Sequence, residues 1–341
     1  MYIAKRAAKW SALSAMILST AVSANAADLT ISVWGGTYGE KWAADVVEPF
    51  EEATGLDVAL DLGRSGERLA KLMATGGQGI DLIFLTDHQM AIAKGRGFLE
   101  PVDATQIPNM ENLHDFAVDP LGEGMCPAIT LLGVGLVYNK EMFETPPTSW
   151  LVLEEEGLPA PPAFMDMAFS VAPSVLTRLA ELKGGSLDDP DPAFEMMESR
   201  KDEARVFTLF EVIDWINRDE VSVAPMLNIF ARKDDDLAMR FTFPEDGTLG
   251  VVNLACVVKG SPNTEAAHKF LDYYLSAEVQ AKQAEVAGET PVVKDVALPT
   301  DSPYTFVPAD SIDELIVYDP NAIAQKRGEW MERFQDDIAT R

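Results

Sequence analysis

Trp34, Gly35, Gly36 and Thr37 follow one another directly. They offer one aromatic plate, two positions where backbone can approach closely, and one hydroxyl. Such a set can stack on a small solute and hydrogen-bond it; the alternative is a core tryptophan before an ordinary turn. Further on, Ser65 opens the run SGERLAKLM. Its hydroxyl reads as an N-cap, and the amide groups beside it as a small polar nest suited to a ligand, or simply as a capped helix. Thr86-Asp87-His88 adds a hydroxyl, a carboxylate and an imidazole. Asp87 and His88 are the one adjacent acid–base pair that a catalyst could use. Other reaction chemistry lacks its motifs. None of the three histidines has a second His or a Cys at metal-ligand spacing. There is no Gly-x-Ser-x-Gly elbow and no phosphate loop ending in Gly-Lys-Ser/Thr. The acidic runs at 188–191 and 234–236 lack calcium-loop spacing and read as solvated loops.

The elements around these residues set their positions. Leu29–Trp34 is apolar and β-branched, a buried strand. From Tyr38 the period changes. Trp42, Val46, Val47 and Phe50 recur at helical spacing, Gly55 stops the helix, and Val58–Leu62 is a second strand. Strand, Gly-rich loop, helix, strand is a βαβ unit, in which ligands meet the loop at the strand's carboxyl end. A helix with Leu69, Leu72 and Met73 follows Ser65. The strand Ile80–Leu85 then empties into Thr86. This order predicts an open parallel sheet with helices on both faces. Ala128–Asn139 reads as an antiparallel strand. After the Pro-rich connector Leu158–Pro162, a second α/β region begins. It holds a helix Val175–Leu182 preceded by Ser170, Pro173 and Ser174, an amphipathic segment Ala204–Ile216, and strands Ser222–Leu227 and Leu249–Lys259. Pro262–Ala287 reads as one helical stretch, and the tail as helical over Ile312–Leu315 and Gln325–Ile338.

Length and composition bound the class. The 341 residues suffice for two domains, and 47% hydrophobic with 24% charged residues suits a soluble core. Lys5, Arg6 and Lys9, the short apolar run Trp10–Val22 and Ala24-Asn25-Ala26 form the three parts of an export signal, with cleavage expected after Ala26. The formal net charge is −28, and loss of that leader makes it more negative. Such a surface argues against nucleic acid and anionic membranes. In an exported, oxidising setting Cys126 and Cys256 are either one long-range disulfide or two buried apolar fillers.

The opening ISVWGG, the Ser65–Met73 helix start, IDLIFLTD, GVGLVYNKEMF with PTSW, and PEDGTLGVVNLACVVKGSPNTEAAHKFLDYYLSAE carry a resemblance. From Leu29 onward the chain resembles the periplasmic solute-binding proteins of ABC importers, in their spermidine/putrescine-binding branch. The resemblance implies an α/β fold of the type II periplasmic binding class: a two-lobed clamshell, each lobe an open, mostly parallel sheet flanked by helices. Residues 27–131 with 252–298 would form lobe 1, and 132–251 with 299–341 lobe 2. Crossings would fall near Thr130–Gly133, near Val251–Cys256 and near Thr300. It implies a cleft lined by Trp34, Gly35, Thr37, Ser65, Thr86 and Asp87 from the first lobe. Asn228 would face them from the second, joined by Ser170, Ser174 and Asn253.

One departure bears on the ligand. After the Pro-x-x-Gly turn, polyamine binders of this branch carry a Trp and, two residues on, an Asp. Here those positions are Val251 and Asn253, and the aromatic of the strand-end stretch PMLNIF is Leu227. Two aromatic plates and one charge are missing. The expected function is nonetheless a periplasmic binding component that captures a small polar solute by lobe closure. A polyamine or related organic amine is favoured over an anionic or zwitterionic solute such as a phosphonate. The solute would pass to an inner-membrane ABC permease, with no cofactor, metal or nucleic acid and the chain a monomer. The rivals of another class are an exported enzyme using Asp87 and His88, and a docking protein using its acidic surface.

Overall fold

The computed structural model describes residues 27–208 and 210–339; the leader expected over residues 1–26 lies outside them. Strands β1 (Leu29–Trp34), β2 (Val58–Gly63) and β3 (Leu82–Thr86) are parallel neighbours in the order β2-β1-β3. Helices between them make the crossovers that parallel pairing demands. The first helical passage starts at Gly36, before Tyr38. It runs through a π turn at Ala43–Val47 and stops at Gly55, whose φ of 73° suits glycine.

Strands β4 (Ala128–Asn139), β5 (Ala163–Met165), β6 (Arg205–Phe207), β7 (Val223–Leu227), β8 (Met239–Thr242) and β9 (Leu249–Val257) complete the set. β9 pairs antiparallel with β3, and β4 antiparallel with β9, β7 and β8. β4 is apolar along nearly its whole length because it has neighbours on both edges and is buried throughout. β5 and β6 form a small parallel pair apart from the main sheet. Three expectations shift. The segment Ala204–Ile216 is a strand followed by a short helix, Glu211–Asn217. The stretch after Pro262 is two helices, Thr264–Tyr274 and Ala277–Ala287, because the Ser276 hydroxyl caps the second. The tail is a 3₁₀ segment, then the helix Pro320–Phe334.

Buried apolar side chains fall into two cores. On β4 the division lies between Leu131 and Leu132, and on β9 between Val251 and Val252. Two long strands thus run from one core into the other. Val307, Ile312 and Leu315 pack with the first core, and Ile316 with the second. The last passage therefore comes after Leu315, and not near Thr300. The final helix touches both: Ala324 packs on the first core, Trp330 and Phe334 in the second.

Cys126 and Cys256 are disulfide-bonded, with Cα atoms 5.0 Å apart across 130 residues of sequence. The bridge ties the residues before β4 to β9 inside the first core. Closing so long a loop in the unfolded chain is worth ~2–5 kcal/mol. Replacing both cysteines by alanine is expected to lower the urea-unfolding free energy by that amount. Equal midpoints for wild type with and without reductant would refute the assignment of a stabilising bridge.

Candidate functional site

Strands β1, β2 and β3 are held by one buried cation. Arg68 is 2% exposed. Its Nε donates to the Gly63 carbonyl at 3.0 Å, and its Nη1 to the carbonyls of Ser32 at 3.0 Å and Phe84. Burial lowers its pKa to about 10, so it stays charged near neutrality. Its guanidinium lies 5.0 Å from the centre of the Trp34 ring. The Trp34 indole donates to Ser65 Oγ at 2.7 Å. Ser65 is thus not the N-cap; Arg64 holds that place, its amide donating to Glu67 Oε2 at 3.1 Å. The Ser65 backbone is already helical, so its hydroxyl is free to take the indole.

Trp34 in turn supports Tyr38, edge to face with ring centres 6.0 Å apart. The Tyr38 hydroxyl donates to Glu289 Oε1 at 2.9 Å. Glu289 is 3% exposed, and burial lifts its pKa from 4.5 to about 7, against the pull of the Tyr38 hydrogen bond. Its Oε2 has no hydrogen-bond partner among the described residues. The segment bearing it is fixed by backbone hydrogen bonds between Leu131 and Thr290, at the residue where β4 leaves the first core. Gly288, at φ 73°, makes the turn into this segment, and a side chain there would strike the Tyr304 ring.

A cavity of about 270 Å³ opens in front of Tyr38. Thr37, Tyr38, Lys41 and Trp42 line it from one side, and Ile229, Phe230 and Arg232 from the other. Gln283, Val286, Ala287 and Tyr304 close it. Tyr38 packs on the first core, and Ile229 and Phe230 on the second, so the cavity lies between the cores. Its volume suits a small solute.

Comparison with known proteins decides the family. The family model for bacterial extracellular solute-binding proteins matches residues 77–315. The chain belongs to that family. It is 25% identical over 329 residues to the norspermidine sensor of Vibrio cholerae, covering 90% of this chain and 85% of that one. It is 23% identical over 266 residues to the putrescine-binding periplasmic protein of Escherichia coli, covering 70% and 72%. An ABC transporter protein from Clostridium perfringens superposes with a TM-score of 0.80 at 24% identity, covering 91% of this chain and 99% of that one. The fold is accordingly that of the type II periplasmic binding proteins, and the role is solute binding.

Within this solute-binding fold, Thr37 alone of the ten sequence-predicted residues lines the cavity. Trp34 and Ser65 bond to each other behind it, and Gly35 lies against Leu62 and Gly63. Thr86 and Asn253 face each other across β3 and β9. Thr86 donates to Gln89 Oε1 at 3.1 Å, and Asn253 Nδ2 to Thr130 Oγ1 at 3.0 Å. Asp87 is 7% exposed and turns its Oδ1 to the His88 amide at 2.6 Å. Asn228 is fully buried: Oδ1 accepts from the Gly133 amide at 3.0 Å, and Nδ2 donates to the Thr305 carbonyl at 2.6 Å. It ties β4 to the segment at Thr305. Ser170 and Ser174 lie at the start of the helix Ala172–Leu182, apart from the cavity lining.

Among the residues at the cavity that sequence reasoning did not single out are Lys41, Gln283, Arg232, Tyr304 and Glu289. Four of them line the cavity and Glu289 stands behind it. Trp42 was legible only as a core position. The one sequence signal at Glu289 is an acid wedged between a helix-stopping glycine and the apolar run after Thr290.

Proposed function

We propose that this protein captures a small organic amine between two lobes and presents it to an ABC permease. Lobe 1 comprises residues 27–131 with 252–315, and lobe 2 comprises 132–251; the final helix straps across both. Residues 1–26 direct export and are removed, and the mature chain acts as a monomer without chemistry on the solute. The observation that carries this reading is the cavity between the cores, backed by a buried acid that Tyr38 holds in place. A carboxylate behind an aromatic wall favours an ammonium group. The polyamines named for two relatives belong to the same chemical class. Motion about β4 and β9, where the cores divide, would close the lobes on the solute.

Thermal unfolding of the mature protein against diamines, polyamines, amino acids and sugars tests this. A true ligand at about 100 times its dissociation constant is expected to stabilise by about 2.7 kcal/mol. No stabilisation by any amine-bearing solute would remove the proposal.

A further inference from the structure

The charged groups at the cavity wall are cations, set among apolar and aromatic side chains. Gln283 is 2% exposed, and its Nε2 has no hydrogen-bond partner among the described residues. Its side chain lines the cavity, as does Trp42, whose indole N–H turns to the buried Tyr274 hydroxyl. A buried N–H without an acceptor is costly, so one in this wall marks a place where an acceptor is to arrive. Lys41 and Arg232 reach the same space from opposite cores. Neither makes an ion pair among the described residues; Arg232 lies 5.2 Å over the Tyr304 ring, which orients its guanidinium. Among the described residues no carboxylate lines the cavity, and Glu289 sits behind Tyr38.

We infer that the solute carries a carboxylate as well as an amine, so that the cavity selects an amino acid-like zwitterion over a bare polyamine. The carboxylate is received by Arg232, Lys41 and Gln283 Nε2, and the ammonium is turned toward Tyr38 and Glu289. This rests on the solute-binding reading above and narrows its ligand class. Two basic side chains facing the solute repel a second ammonium group, which a diamine or polyamine would place there. A guanidinium fork and an amide N–H donor match the geometry of a carboxylate. The two cations come from different cores, so an anion between them draws the halves together.

The test is titration calorimetry of the mature protein with ω-amino acids of two to six carbons. Diamines and monocarboxylates of equal length serve as controls. One ω-amino acid length is expected to bind at least tenfold more tightly than either control. Arg232→Gln is expected to cost that ligand at least tenfold in affinity and to leave diamine binding unchanged or stronger. Lys41→Gln, at an exposed position, is expected to act in the same direction more weakly. Circular dichroism checks that both variants fold. A diamine that binds more tightly than every amino acid overturns the inference and leaves the amine-capture reading standing. Equal binding of a monocarboxylate overturns it together with the amine-capture reading, and an amino-acid affinity unmoved by both substitutions overturns it alone. Failure of every amine-bearing solute to bind overturns both.

Discussion

At pH 8 the Glu289→Gln variant is expected to be more stable than wild type by about 3 kcal/mol while losing at least tenfold in affinity for an amine-bearing solute. The stability part follows from proton linkage. Burial raises the Glu289 carboxyl from 4.5 to about 7 in the folded protein. Between those values the folded chain binds more protons than the unfolded chain, so stability falls as pH rises. Below pH 4.5 both states are protonated and the acid costs nothing. Above pH 7 both are ionised and the full desolvation cost remains, about 3 kcal/mol for a rise of this size. Glutamine resembles the protonated acid at every pH and still accepts the Tyr38 hydroxyl. Urea unfolding at pH 4, 6 and 8 should therefore show a difference that is near zero at the acid end and grows toward pH 8. A variant no more stable than wild type at pH 8 would mean that the carboxylate is not desolvated. Affinity moves the opposite way because the ionised form is the one an ammonium needs. Wild-type binding is accordingly expected to weaken as pH drops through about 7. The residue is retained at a cost to the empty protein, as expected of a group kept for its ligand.

The second large effect is expected at Arg68. Arg68→Met keeps an unbranched, flexible stem and removes the donors. The carbonyls of Gly63, Ser32 and Phe84 then lose their partner inside the core. Those three carbonyls belong to β1, β2 and β3, so the loss loosens the platform that carries Trp34. Breaking a buried charge network of this kind costs ~3–5 kcal/mol. Lysine is expected to restore part of this at most, because a single ammonium cannot span three carbonyls set around a fork. Urea unfolding gives the magnitude, and tryptophan emission reports the freed Trp34. A loss below 1 kcal/mol would show that the guanidinium is not the brace described here.

The pattern of apolar residues made most of the scaffold legible. LTISVW, DLIFL and AITLLGVGLVYN read as strands because their side chains are buried on both faces, and burial leaves a continuous apolar run. The helix Ser65–Thr75 was legible from Leu69 and Leu72, which are buried. Side chains were less legible than elements. Ser65 had the residue type of a cap, yet the indole of Trp34, 31 positions away, claimed its hydroxyl. Asn228 had the position of a ligand contact, yet both ends of its amide are taken by backbone from β4 and from Thr305. Local spacing carries no information about a partner 77 to 95 residues distant.

Two kinds of decision can be told apart. The sequence by itself determined the class: an α/β chain with polar, glycine-bearing loops at strand ends and two α/β regions, since periodicity and turn chemistry act over a few residues. Tertiary structure alone decided that Cys126 meets Cys256 and that the cores divide at Leu131 and Val251. It alone set Glu289 behind Tyr38, and Arg232 across the cavity from Lys41. The reason is physical. Each of these pairs is separated by more than 100 residues, and only the packing of two cores on shared strands brings such residues within reach.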